Sequence, residues 1–379
     1  MHKMVSAREA GAERKCRMAE AFNLDQYLTR GVEDIVRGIL KASLHNPKGS
    51  AFLARYALAS RRAGELRRRA EEAGEHIPPF LIASITTRCN LRCAGCYARA
   101  NDACCDREEG LLSDGEWRAI FEEAAGMGVG FILLAGGEPL MRRGVLEEAG
   151  GVKDILFPVF TNATLIDEKY AALFCKYRNL IPVLSIEGGE AETDARRGTG
   201  VYRRLTQSVK LLKENGILFG ASVTVTKANI RNVTSDAFLQ DLRAQGFKAV
   251  VYVDYVPVEG ESDALAPEDE ERAYLSERLA RIREEFSGLL FIAFPGDEAA
   301  SGGCLAAGRG FFHINARGGA EPCPFSPYSD VSVRDVTLRQ ALKSPLFSRL
   351  REGNLLTEDH AGGCVLFEKR DQVQRLLMG

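Results

Sequence analysis

Six apolar, β-branched runs, at 80–87, 130–135, 155–160, 181–186, 217–225 and 248–256, alternate with stretches of helical spacing near 113–127, 142–151, 167–178, 201–215 and 233–245. Strand-length apolar runs joined by helices call for a parallel sheet whose crossovers all share one hand. Six such units instead of eight predict an α/β fold, an open, partial (βα)6 TIM-like barrel. Folds of this kind carry their chemistry at the carboxyl ends of the strands. The unusual residues of this chain fall there: Cys89 after the first run, Gly136 after the second, Thr161-Asn162 after the third and Ser185 within the end of the fourth.

The run Cys89-Asn-Leu-Arg-Cys93-Ala-Gly-Cys96-Tyr97 brings three thiols onto one short loop and supplies no fourth. Thiolates select zinc, Cu(I) or iron–sulfur clusters over magnesium or calcium. A structural zinc site is normally closed by four ligands, often as two CxxC pairs, and the sequence has no second pair. The spacing therefore favours a [4Fe–4S] cluster held by Cys89, Cys93 and Cys96, with one iron left open. A zinc-stabilised binding module is the competing reading.

With Gly136-Gly137-Glu138-Pro139-Leu140 closing the second apolar run, and Thr161-Asn162-Ala163 and Ser185-Ile186-Glu187-Gly188 closing the next two, residues 80–260 resemble the radical SAM superfamily. That resemblance implies that the three cysteines hold the cluster and that its open iron is chelated by the amino and carboxylate groups of S-adenosylmethionine (SAM). It implies that Gly136, Gly137, Glu138 and Pro139 seat the SAM amine, and that Ser185 meets the carboxylate or ribose. Arg197, in Arg-Arg-Gly-Thr-Gly, would neutralise the carboxylate, Asn162 would line the same cleft, and Tyr97 would lie beside the adenine. Glu187 stands where relatives commonly have aspartate. Thr224 and Thr226, on the fifth run, are weaker candidates for the cleft. The activity implied is reductive cleavage of SAM to a 5′-deoxyadenosyl radical that takes a hydrogen atom from a substrate, with a flavodoxin- or ferredoxin-type donor supplying the electron.

Residues 1–79 read as an N-terminal helical extension, with periodic segments at 25–40 and 50–73 before Pro78-Pro79. Arginines at 55, 61, 62, 67, 68 and 69 stud the second segment, and Glu65, Glu71, Glu72 and Glu75 offset them at salt-bridge spacing. The expectation is a solvated face packed on the barrel; the alternative is an amphipathic surface making peripheral contact with anionic lipid or an acidic partner. The net charge of −2 gives no basic field for nucleic acid. Ten cysteines with no signal sequence suit a reducing, cytoplasmic setting, and no apolar stretch approaches the roughly twenty residues a transmembrane span requires.

Residues 261–379 read as an acidic connector helix, 267–286, followed by a small extension bearing Cys304, Cys323 and Cys364. Its opening resembles the SPASM and twitch extensions, which hold auxiliary iron–sulfur clusters beside the radical site. The CxxCx5CxxxC core of a full SPASM domain is absent, so one auxiliary [4Fe–4S] cluster is the expectation. Its fourth ligand is open among His360, Cys104, Cys105 and a substrate atom. Cys16 and Cys175 read as bystanders. The substrate is a small molecule, a lipid-like compound or a peptide, the last making the chain a ribosomal-peptide maturase of the SPASM type. A non-catalytic iron–sulfur electron-transfer protein is a reading of another class, under which GGEP, Ser185 and Arg197 have no purpose.

Overall fold

In the computed structural model, residues 47–257, 260–298, 302–357 and 364–378 are described. Nine strands form one sheet in the order β7-β6-β5-β4-β3-β2-β1-β8-β9. Strands β1 (Phe80–Ser84), β2 (Phe131–Ala135), β3 (Phe157–Thr161), β4 (Leu180–Ser185), β5 (Gly220–Val225) and β6 (Ala249–Asp254) match the six expected runs and pair in sequence, all parallel. The fold is the expected partial TIM-like barrel, α/β throughout.

The crossover helices are α3 (Asp114–Met127), α4 (Arg143–Gly151), α5 (Glu168–Lys176), the pair α6 (Glu190–Arg197) and α7 (Val201–Glu214), and α8 (Asp236–Gln245); α1 (Pro47–Glu72) precedes the sheet and α2 (Tyr97–Ala100) follows the first cysteine loop. Helix α3 starts on a capping box, Ser113 with Glu116, and ends at Gly128 in the left-handed conformation, so its limits are those its sequence encodes. Its inner face, Trp117, Ile120, Phe121 and Ala124, is buried, and Phe121 meets Phe157 of β3 edge-on at 5.1 Å.

The sheet does not stop at the sixth strand. Helix α9 (Asp269–Glu285), expected as a connector, is the crossover to a seventh parallel strand, β7 (Leu290–Phe294), which pairs with β6. Its solvated face hid this role, since only Leu275, Leu279 and Ile282 are buried in it. Strand β8 (His313–Ile314) adds parallel to the opposite edge, against β1, and β9 (Ala320–Glu321) pairs antiparallel with β8. The cysteine-bearing extension is thereby hydrogen-bonded into the barrel sheet.

Helix α1 packs on the barrel as expected for a solvated face. Arg67 Nη1 donates to the Gly128 carbonyl at 2.6 Å, Tyr56 and Ala63 are buried, and Arg61 and Arg62 are exposed. The expected helix at 25–40 lies outside the described residues. No helix among the described residues is long and apolar enough to cross a membrane.

Candidate active site

The six expected cysteine ligands line one cavity of about 270 Å3, with Tyr97, Gly136, Gly137, Glu138, Asn162, Ser185 and Arg197 on its walls. Pro139, the remaining site residue named from sequence, is buried in the turn behind Glu138.

The turn after β2 is clamped to the start of the cysteine loop. Gly137 N donates to Thr86 O at 2.9 Å and Glu138 N to Arg88 O at 2.7 Å. A Cβ at Gly137 would lie 2.0 Å from Arg88 O, a backbone atom that cannot move aside, so only glycine fits this approach. The Glu138 carboxylate then ties β2 to β3: it accepts from Leu140 N (3.0 Å), Thr161 Oγ1 (2.7 Å) and Asn162 N (2.8 Å). Asn162 continues the chain of contacts, donating through Nδ2 to Asn90 Oδ1 at 2.9 Å and reaching Cys89 Sγ at 4.0 Å. Burial pushes Glu138 up to about 7, against the pull of the Asn162, Thr161 and Leu140 bonds. A cationic group brought beside it would favour its charged form.

Across the cavity, Glu187 is buried and accepts three bonds at Oε1, from Arg196 Nη1 (2.6 Å), Arg197 Nε (2.8 Å) and Arg197 Nη2 (2.5 Å), while Oε2 accepts from Thr224 N at 3.1 Å. Arg197 was expected to face an external carboxylate; two of its nitrogens are instead engaged inside the protein. Burial opposes its charge, but the attraction of Glu187, first among the groups that favour it, keeps it protonated. The Arg196 carbonyl accepts from Ala94 N at 2.8 Å, which ties the end of α6 to the cysteine loop. Ser185 and Thr224 both line the cavity. Thr226 instead bonds within its own turn, its N–H donating to Asn229 Oδ1 at 2.8 Å.

The C-terminal thiols close the other side. Cys304 and Cys323 are buried, and burial pushes their thiols well up; it raises Cys364 to about 12. Thiols held protonated by burial, unpaired in disulfides and facing one cavity suit a metal group that replaces their protons. No three His, Cys, Asp or Glu groups among the described residues close tightly enough on a single metal ion. Three thiols on one cavity wall are soft donors of the kind that hold an iron–sulfur cluster. Of the candidate fourth ligands, the buried Cys104 lies against Cys89 and pulls that thiol down to about 6, and Cys105 accepts from Arg317 Nη2 at 3.6 Å. His360 lies outside the described residues. Tyr97 bridges the two halves, its ring 4.7 Å from that of Phe325, two residues beyond Cys323.

Three cavity groups were not read from the sequence. Asp254, the last residue of β6, is buried with Oδ1 unpartnered, and the Tyr255 hydroxyl beside it is also buried and unpartnered. Tyr255 lies over Gly95, whose positive φ and missing Cβ admit it: a Cβ there would stand 2.0 Å from the hydroxyl. The third is Glu298, after β7. A lone carboxylate or tyrosine past an apolar run carries no signature, but the strand-end rule applied to β6 would have singled out Asp254.

Burial raises Asp254 to about 7, with only Arg272 opposing. The folded state thus holds this proton more tightly than the unfolded chain, and its contribution to stability is lost as pH rises from the ordinary carboxylate range to about 7. Glu138 and Glu298, also raised by burial to about 7, act in the same direction. The apoprotein should therefore be more stable to denaturant at pH 5.5 than at pH 8, at roughly constant m. The Cys89 thiol, lowered to about 6, opposes this trend without matching three carboxylates. Asp254→Asn should flatten the slope; an unaltered slope would mean that Asp254 is not held protonated by the fold.

The family described as the radical SAM superfamily matches residues 83–244. The chain is 32% identical over 158 residues to Fe-coproporphyrin III synthase of Methanosarcina barkeri, a match covering 41% of this chain and 39% of that protein. It is 28% identical over 325 residues to the AdoMet-dependent heme synthase of the same organism, covering 76% of this chain and 88% of that protein. Among solved structures, Streptococcus suis SuiB bound to its precursor peptide SuiA superposes with a TM-score of 0.61 at 18% identity, over 82% of this chain and 73% of that one. This last likeness establishes the fold.

Proposed function

Because the chain belongs to the radical SAM superfamily, we propose that it cleaves SAM reductively at a [4Fe–4S] cluster held by Cys89, Cys93 and Cys96 and uses the radical on a flat, largely apolar substrate. The observation that carries this reading is the meeting of the cysteine loop with the Gly136-Gly137-Glu138 turn, Asn162, Ser185 and Arg197 around one cavity. When bound, the cluster and SAM supply a 5′-deoxyadenosyl radical that takes a hydrogen atom; the protein supplies orientation and exclusion of side reactions. Glu138 and the backbone around it receive the SAM amine, Ser185 the carboxylate or ribose, and Arg197 keeps its positive charge beside Cys93. Tyr97 offers a ring face to the adenine. Cys304, Cys323 and Cys364 hold one auxiliary cluster. The electron comes from a flavodoxin- or ferredoxin-type protein.

An iron porphyrin is the first substrate to offer, for two reasons. The match to a heme synthase spans most of both chains. The cavity walls include Phe160, Phe294 and Phe325, an aromatic lining that suits a conjugated ring. A ribosomally made peptide is the second reading, since the same fold admits one in SuiB. The test is anaerobic incubation of reconstituted protein with SAM, dithionite and Fe-coproporphyrin III, with chromatography of adenosine products and porphyrin. The expected result is 5′-deoxyadenosine whose yield rises several-fold with porphyrin, together with a change in porphyrin mass. 5′-Deoxyadenosine unaffected by porphyrin would remove the porphyrin reading and leave the peptide; none under any condition would remove the enzyme.

A further inference from the structure

We propose that Glu298 is the fourth protein ligand of the auxiliary cluster, completing a Cys304, Cys323, Cys364, Glu298 set and leaving no iron open to a substrate atom. The inference rests on the reading that these thiols bind a cluster.

Glu298 lies four residues past the end of β7, in a turn fixed at both ends. Its N–H donates to Pro295 O at 2.7 Å and its carbonyl accepts from Gly303 N at 3.1 Å. The neighbouring acid shows what a structural carboxylate looks like here. Asp297 is claimed by Arg283 Nη2 at 2.7 and 2.8 Å and by Ala293 N at 2.9 Å. Glu298 points the other way and lines the cavity together with all three thiols. The residue is 7% exposed and makes no ion pair with a described residue, Arg309 acting on it only from a distance; the backbone bond it accepts, from Leu305 N at Oε1, is long at 3.4 Å. The Cys304 thiol is among the side chains that act on its carboxylate.

A carboxylate this buried, in no ion pair with a described residue and facing a cavity it shares with three thiols, is costly to the apoprotein. A metal group resolves that arrangement, because iron replaces the thiol protons and accepts a carboxylate oxygen in place of a fourth sulfur. The loop that presents the set is held independently of any metal. Cys304 N donates to Leu356 O at 2.7 Å, and Arg309 Nη1 donates to the Cys304 carbonyl at 2.6 Å. Cys104 and Cys105, the other nearby thiols, are engaged elsewhere. Asp254 lines the same cavity, but Glu298 is the carboxylate close enough to act on all three thiols. A cluster closed by four protein ligands can pass an electron but cannot anchor a substrate through iron.

The test uses the full chain with Cys89, Cys93 and Cys96 replaced by alanine, so that only the auxiliary cluster remains, and compares Glu298 with Glu298→Gln, Glu298→Ala and Glu298→Cys. The readouts are iron content, Mössbauer spectra and electron paramagnetic resonance, with imidazole as an exogenous ligand probe. The expected result is a four-iron cluster with Glu298 that imidazole leaves unchanged. Glu298→Gln and Glu298→Ala should lose roughly one iron per protein to a three-iron signal, or bind imidazole with shifted g-values. Glu298→Cys should restore four irons and imidazole insensitivity. Spectra and imidazole response identical in all four proteins would overturn the ligand assignment while leaving the cluster in place. No iron even with Glu298 present would remove the auxiliary cluster itself, and the proposal with it. Since glutamine conserves size, a folding defect confined to Glu298→Ala would not obscure the comparison.

Discussion

Replacing Cys89, Cys93 and Cys96 together by alanine should bring SAM cleavage to background and remove about half of the iron and sulfide from anaerobically reconstituted protein. The two effects separate because the two thiol sets sit on different structures. The first set hangs on the loop between β1 and α2, braced by Asn162 against Asn90 and by Ala94 against Arg196. The second is held by the turn after β7, by the loops about β9 and at the start of the short helix Val365–Glu368. Among the described residues no hydrogen bond joins a thiol of the second set to one of the first, and Tyr97, which packs on Phe325, is kept in the variant, so half the Mössbauer intensity of the four-iron form should survive. Complete loss of iron would make Cys304, Cys323 and Cys364 ordinary buried thiols, for cysteine is among the most often buried residues. Cleavage that persists in the variant would sink the assignment of the first cluster.

What could be read from the chain divides along a physical line. The six strands were legible because runs such as Phe131-Ile132-Leu133-Leu134-Ala135 are apolar throughout, as strands buried on both faces must be. Leu290–Phe294 is as apolar, but it follows a helix so rich in acids and arginines that the helix read as a connector, and the strand went uncounted. Strands β8 and β9 span two residues each and have no period to detect. At the site, cysteine and glycine announced themselves through spacing, because few backbones need them in that order. Glu298 and Asp254 did not, since a single carboxylate has meaning only through what surrounds it. Arg197 was legible as a functional arginine, but its link to Glu187 depends on α6 folding back over the end of β4, a tertiary event that no local pattern encodes.

Glu187→Ala should cost about 3–5 kcal/mol of apoprotein stability, the usual penalty for stranding a buried charge. One carboxylate serves two guanidinium groups. Arg196 and Arg197 are 18% and 10% exposed, and Glu187 is 2% exposed. Removing it leaves two like charges side by side with little water to solvate them, and frees Thr224 N from its bond as well. The damage should also reach the cysteine loop, because Arg196 holds Ala94 through its carbonyl and Arg197 lies beside Cys93. Reconstituted Glu187→Ala should therefore retain less iron at the first site while the auxiliary iron is unaffected. Glu187→Gln keeps the hydrogen-bond acceptor and loses only charge, so its cost should fall between wild type and alanine. Arg197→Met in the Glu187→Ala background removes one stranded charge and should recover part of the loss, which a double-mutant cycle in urea would measure. A cost under about 1 kcal/mol for Glu187→Ala, near the level of an exposed ion pair, would mean that solvent already shares these charges. Arg197 would then be free to meet the carboxylate of bound SAM directly, as the resemblance to the family first implied.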